Sequence, residues 1–156
     1  PADREQAVNN LRPIKAKYAH MDNGRIALSR LEREVEDLVC AGRDQEKWGV
    51  VKGGIEVYEV LRPGNERYAS LSQRADLMLA RPRVTVSGFF NVEGVIYAFL
   101  EVTDPNADPP VQSYRIREGE EFHGNLRLIR IIGAQKAVEL LYIPANSTWE
   151  VSGPRD

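Results

Sequence analysis

Apolar residues in the first third of the chain recur at helical spacing. Ile14, Met21, Leu28 and Val35 are seven residues apart, Leu31 and Leu38 fall on the neighbouring position, and Val39 widens the stripe. This spacing predicts an amphipathic helix. Arg30, Glu32, Arg33, Glu34, Glu36 and Asp37 fill the opposite face with charges of alternating sign three and four apart, which supports a solvated helix surface. Pro13 suits the first helical position and Gly42 the stop. Asp22, Asn23 and Gly24 weaken the middle, so either the helix breaks there or Asn23 caps a shorter one over 25–41. Lys17 and Gly24 occupy seam positions that a coiled coil would fill with apolar groups. Two readings stand: a helix lying on its own domain, or a short coiled coil using Ile14, Met21, Leu28, Leu31, Val35 and Leu38 against a partner or a second copy.

Residues 49–62 fit two patterns. Ile55, Val57 and Val60 could form a strand after Gly53-Gly54, or a helical turn with Tyr58 and Leu61. Pro63-Gly64 ends the segment in both cases. A second amphipathic helix is predicted over roughly 65–80, with Tyr68, Leu71, Ala75, Met78 and Leu79 on one side, and Arg81-Pro82 terminates it.

After Pro82 the period drops to two. Val84, Val86 and Gly88 alternate with Thr85 and Ser87, and Val95 to Val102 is apolar on both faces. Asn91 to Gly94 between them is short enough for a hairpin. The segment 103–111, with three prolines and two aspartates, must be a loop. Further strands are predicted at 113–117, 126–132, 137–142 and 148–151, turned by Glu118-Gly119 and by Gly133-Ala134-Gln135. Six short strands with hairpin-length links point to a small antiparallel β-sandwich or barrel. With helices segregated to the N-terminal side, the fold class is α+β. The expected organisation is a helical segment over 1–80, a β-domain over 83–151 and a polar tail over 152–156.

The 156 residues are 42% hydrophobic and 28% charged, enough apolar content for a core that buries roughly 70% of the unfolded surface. Intrinsic disorder is thereby excluded for the bulk of the chain. The balance of 21 basic and 23 acidic residues, with 8 and 10 in 81–156, argues against a general nucleic-acid binder. Phe89, Phe90, Tyr97 and Tyr114 with Arg115 and Arg117 suit a base-stacking platform, but the net negative charge of their half disfavours it; no nucleic-acid partner is expected. Cys40, the single cysteine, excludes an intramolecular disulfide framework and a cysteine-built zinc site. No run of about 18 apolar residues exists to span a membrane. The chain starts at Pro1 without methionine, which suggests a piece of a longer protein with an anchor upstream.

Candidate chemistry is sparse. Glu118, Glu120, Glu121 and His123 form the densest cluster of ligand-type residues, and a metal- or small-ligand-binding regulatory barrel built on that turn is the alternative reading. A solubilising turn explains the cluster more simply. Asp104, Asn106 and Asp108 begin like a calcium loop, but Pro109 replaces its glycine and Arg115 its glutamate. Neither a phosphate-cradling loop nor a Gly-x-Ser-x-Gly elbow occurs. Cys40 follows an acidic helix end, a setting that opposes a nucleophilic thiol, and reads as a small packed residue. No catalytic residue, metal or cofactor is assigned. An edge strand such as 84–90 or 113–117 could instead accept a strand from another protein.

The succession VTVSGFF, VIYAFLEV, YRIREGEEF, LRLIRII and AVELLY resembles the small periplasmic β-domain of two related families. One is the inner-membrane subunit of type II secretion (GspC-like), the other the type IV pilus assembly lipoprotein (PilP-like). The matching features are Gly88 ending the first strand, Tyr114 to Glu120 running into Gly-Glu, Ile131, and Val138-Glu139. The likeness covers 83–151; the long loop 103–111, Arg127 and Arg130 depart from it, and the helical half has no counterpart. The resemblance implies a non-enzymatic assembly module in the periplasm, anchored to the inner membrane. Its partners would be a secretin periplasmic domain or inner-membrane assembly proteins. The edge strands carried over are Val84, Val86 and Gly88, with Tyr114, Ile116 and Arg117.

Overall fold

The computed structural model describes residues 2–154. The chain divides after Leu79 into two compact units. The first holds helices α1 (Ala2–Tyr18), α2 (Asp22–Asp44), α3 (Trp48–Leu61) and α4 (Ala69–Leu79), the last preceded by a single 3-10 turn at Glu66–Tyr68. The second holds seven antiparallel strands: β1 (Arg83–Val92), β2 (Val95–Thr103), β3 (Val111–Arg117), β4 (Glu121–Phe122), β5 (Leu126–Ile132), β6 (Ala137–Tyr142) and β7 (Ser147–Ser152). The fold is α+β, helices first, then two sheets.

The helix breaks near the weak Asp22-Asn23-Gly24 stretch, giving α1 and α2, and Met21 rather than Asn23 precedes α2. Pro13 lies inside α1 rather than opening a helix, and the chain turns between Tyr18 and Asp22, where Met21 N–H bonds the Tyr18 carbonyl at 3.1 Å. Gly24 makes the turn feasible: a Cβ on it would sit 2.1 Å from the Tyr18 carbonyl oxygen. The seven-residue repeat therefore runs across a break, and no continuous seam connects Ile14 to Leu38. Gly42 does not stop the helix. It is buried within α2, where a Cβ would lie 3.1 Å from Val51 Cγ2, so glycine there serves close packing against α3.

Residues 49–62 are helical, in α3. Val35 and Val39 from α2, Val51, Ile55, Tyr58 and Leu61 from α3, and Ala75 from α4 make the core of this unit. Gly42 meets Val51 while Gly54 meets Val39, the register of an antiparallel helical hairpin. The hairpin is tied by Arg62 Nε, which donates to both Glu32 oxygens at 2.9 and 3.0 Å, and by Arg67 to Glu36. Lys52 Nζ bridges to Asp76 of α4 at 2.9 Å.

In the second unit β1-β2-β3 form sheet A and β4-β5-β6-β7 form sheet B. The arrangement is a sandwich of two sheets rather than one closed barrel. Its core takes Val84, Val86, Ala98, Leu100, Val102 and Ile116 from sheet A, and Phe122, Leu126, Leu128, Val138, Leu140 and Tyr142 from sheet B. The β1–β2 link is tighter than its sequence suggests. The strands continue to Val92 and Val95, leaving Glu93 and Gly94 at φ 51° and 87°, the two-residue turn whose twist matches that of the strands. The two-residue β4 and the extension of β7 to Ser152 were not predicted. Within the expected 152–156 tail, Arg155 and Asp156 lie outside the described residues, as does Pro1.

Candidate functional site

Among the described residues, sheet A has two borders with no paired strand. β2 is central, so β1 and β3 each hydrogen-bond a neighbour on one side only. Of the residues assigned to partner docking on these strands, Val84, Val86 and Ile116 bury their side chains in the core. Tyr114 is half-buried and pairs with the inward-facing Leu100. What a partner could meet there is backbone, together with the outward residues between them. Arg117 is one of these, although Glu120 occupies it: its Nε donates to Oε1 at 2.7 Å and its backbone N–H to Oε2 at 3.1 Å. These bonds, the backbone one first, hold the Glu120 carboxyl below its ordinary range.

A register shift between Val86 and Gly88 makes Ser87 an extra residue in β1. Simple alternation would send Gly88 and Phe90 inward with Val84 and Val86. After the bulge, Gly88 pairs with the outward Phe99 and Phe90 with Tyr97, while Phe89 pairs with the buried Ala98. The outer face of sheet A thus gains a row of three aromatic rings. Phe90 stacks on Tyr97 with centroids 5.6 Å apart and on Phe99 at 5.3 Å, at interplanar angles of 30° and 24°. The Arg115 guanidinium lies 5.2 Å from the Tyr97 centroid. Phe99 is 40% exposed, and Val92 and Val95 extend the apolar strip. Of the aromatics named from the sequence, Phe90 and Tyr97 lie in this row, Phe89 and Tyr114 pair with the inward Ala98 and Leu100 instead, and Phe99 was not named. The common face depends on a one-residue bulge that no local pattern announces.

The helical interface residues do not share a surface. Val35 is buried, and Leu28 and Leu31 pack against the helical core, whereas Ile14, Met21 and Leu38 are exposed. Cys40, expected to be packed, is exposed as well, because its neighbour Val39 takes the inward position.

The acidic turn does not converge either. Glu118 Oε1 accepts the Ile131 N–H at 2.6 Å, Glu120 holds Arg117, and Glu121 pairs with Arg127. Among the described residues no three His, Cys, Asp or Glu side chains gather in metal-ligating fashion. His123 turns elsewhere. At φ 53°, in the left-handed region that histidine tolerates better than most residues, it directs its ring to the loop and strand of sheet A. Nε2 lies 3.0 Å from Asp104 Oδ2 and Nδ1 lies 3.0 Å from Tyr114 Oη. The His123 and Asp104 side chains are only 7% and 14% exposed. The His123 bond, then the Asn106 backbone N–H, hold the Asp104 carboxyl below the usual carboxylate value. These residues are 19 positions apart, so spacing gave no signal of the pairing.

Comparison of the chain with protein-family models, with curated proteins and with solved structures finds no match.

Proposed function

We propose that this chain is a non-enzymatic docking module that binds another protein through sheet A. The observation that carries the reading is the coincidence of two unpaired sheet borders with an exposed aromatic row flanked by Arg115. Apolar surface gathered into one patch and rimmed by charge is how a monomer presents an interaction site, and aromatic and arginine side chains dominate the energetics of such sites. An unpaired border adds main-chain hydrogen bonding to a partner's strand.

The resemblance of 83–151 to the GspC-like and PilP-like β-domain suggests where such a module works. It would serve a bacterial envelope secretion or type IV pilus machine, on the periplasmic side and anchored by a segment upstream of Pro1. Its partner would be a secretin periplasmic domain or an inner-membrane assembly protein.

The test is calorimetric titration of the chain with the purified first periplasmic domain of a secretin, using wild type, Phe99→Thr and Arg115→Ala. Binding by wild type with at least a tenfold loss in both variants is expected. Binding that ignores both variants removes sheet A as the docking face, and no binding by wild type removes the secretin assignment.

A further inference from the structure

Two observations fix which way the amides of β3 point. Val92 and Val95 flank the two-residue turn as a pair, and such a pair hydrogen-bonds across the hairpin. Direction alternates along a strand. Ala98, Leu100 and Val102 therefore turn their amides toward β3 and bond Ile116, Tyr114 and Gln112, their partners in an unbroken register. Val111, Ser113, Arg115 and Arg117 turn theirs to the free border. Arg117 agrees, because Glu120 rather than β2 takes both of its backbone groups. Its N–H donates to Glu120 Oε2 at 3.1 Å, and its carbonyl accepts the Glu120 N–H at 3.2 Å.

Glu120 closes one end of that border and two prolines close the other. Pro109 and Pro110 precede Val111 and have no amide hydrogen, and the Pro110 carbonyl accepts the Asp104 N–H at 2.8 Å. Between these stops the open donors and acceptors are those of Val111, Ser113 and Arg115, whose side chains all stand on the exposed face. The β1 border is not open in the same way. β7 runs close beside it, and a Cβ on Gly153, just after β7, would lie 3.0 Å from the Phe89 ring.

We propose that this stretch of β3 receives an extended segment of a partner protein, added antiparallel, with a carboxylate opposite Arg115 and an apolar side chain opposite Val111. The inference rests on sheet A being the docking face and narrows it to one border and one strand chemistry. Arg115 supplies the charge selection. Among the described residues it has no carboxylate partner, and its guanidinium lies over Tyr97. Opposite charges directly across a strand pair attract. Val111 is 47% exposed, so an apolar neighbour would cover it. Glu101 stands behind Ser113 in the β2–β3 register and disfavours a second carboxylate at the middle position, which suits a hydroxyl. The segment thus reads acidic, any, hydroxyl, any, apolar. Backbone pairing supplies affinity and these side chains supply selection.

The experiment is amide chemical-shift titration of the full, nitrogen-15-labelled chain with the blocked heptapeptides SEVTVVS and SKVTVVS. With the acidic peptide, the Ser113 and Arg115 amides should shift and their hydrogen exchange slow, while those of Phe89 and Asn91 on β1 stay put. The lysine peptide should bind about fivefold more weakly, and Arg115→Glu should reverse that preference. Ser113→Pro removes a border N–H that β2 does not use, a change an edge strand tolerates, and should abolish the shift at Arg115. Shifts confined to β1, or to Phe90, Tyr97 and Phe99, overturn the choice of border while sheet A remains the docking face. No shift at millimolar peptide overturns the proposal without touching the secretin titration. Equal binding of both peptides, or a preference that Arg115→Glu leaves unchanged, overturns the charge assignment. If Ser113→Pro does not fold, Arg115→Glu with the two peptides decides alone.

Discussion

A Cβ placed on Gly54 of α3 would lie 2.6 Å from Val39 Cγ2 of α2, and Val39 is itself completely buried. The helical hairpin closes because glycine occupies this contact. Two effects oppose each other in Gly54→Ala. Alanine gains about 1 kcal/mol of helix propensity, but overpacking a tight core costs about 1–3 kcal/mol. The contact is with a buried methyl that has no free space to move into, so overpacking should win. The expected result is a net loss of up to about 2 kcal/mol in chemical denaturation of the chain. Gly49→Ala in the same helix, where a Cβ meets nothing within 4 Å, should be neutral or stabilising.

Neighbouring positions on β2 should respond very differently to truncation. Leu100 is 1% exposed while Phe99 is 40% exposed. Leu100→Ala should cost about 2–5 kcal/mol as a core cavity. Phe99→Thr should cost about 1 kcal/mol, mostly the lost stacking with Phe90, because threonine suits a strand. Urea denaturation of the two variants measures the contrast. Equal losses would mean that the outer face of sheet A is covered.

Acid should reach the sandwich through Asp104. Its carboxyl titrates lower in the folded domain than the ordinary value of about 3.9. The pairing therefore contributes stability that is complete above that value and lost as pH falls through the lower, folded one. Below about pH 4, the melting temperature of Asp104→Asn should fall less steeply than that of wild type. A parallel pair of curves would show that Asp104 is not linked to folding.

Cys40 should react with a thiol reagent in the native state, since it is exposed on α2. One equivalent of label per chain without denaturant is expected, with unchanged helical circular dichroism. Protection until unfolding would place the thiol against a surface.

Much of this architecture could be read from periodicity. The switch from helical spacing to alternation after Pro82 locates the change from helices to strands, and the strands at 126–132 and 137–142 have their predicted limits. The failures share a cause: tertiary contact overrode a local rule. Asn23 looked like the cap of a helix over 25–41, yet α2 starts at Asp22, and the break expected near Gly24 needs glycine because the start of α2 passes the Tyr18 carbonyl. Pro13 and Gly42 looked like helix signals and lie inside helices instead. The 118–123 segment looked like a ligand cluster because its side chains are close in sequence. In space Glu118 turns to Ile131 and His123 to Asp104, contacts that only the pairing of sheets creates. The aromatic row was hidden for another reason: a strand's facing is cumulative, and one inserted residue inverts everything after it.

That inversion has a consequence for how the domain tolerates change in length. Losing a residue from the interior of a strand ordinarily turns its remainder inside out. At Ser87 the opposite holds, because removing it would leave Val86 and Gly88 in continuous alternation with Phe89 still inward and Phe90 still outward. β1 can therefore shed this one residue and keep its surface, whereas the same loss at Thr85 would drive Val84 out of the interior.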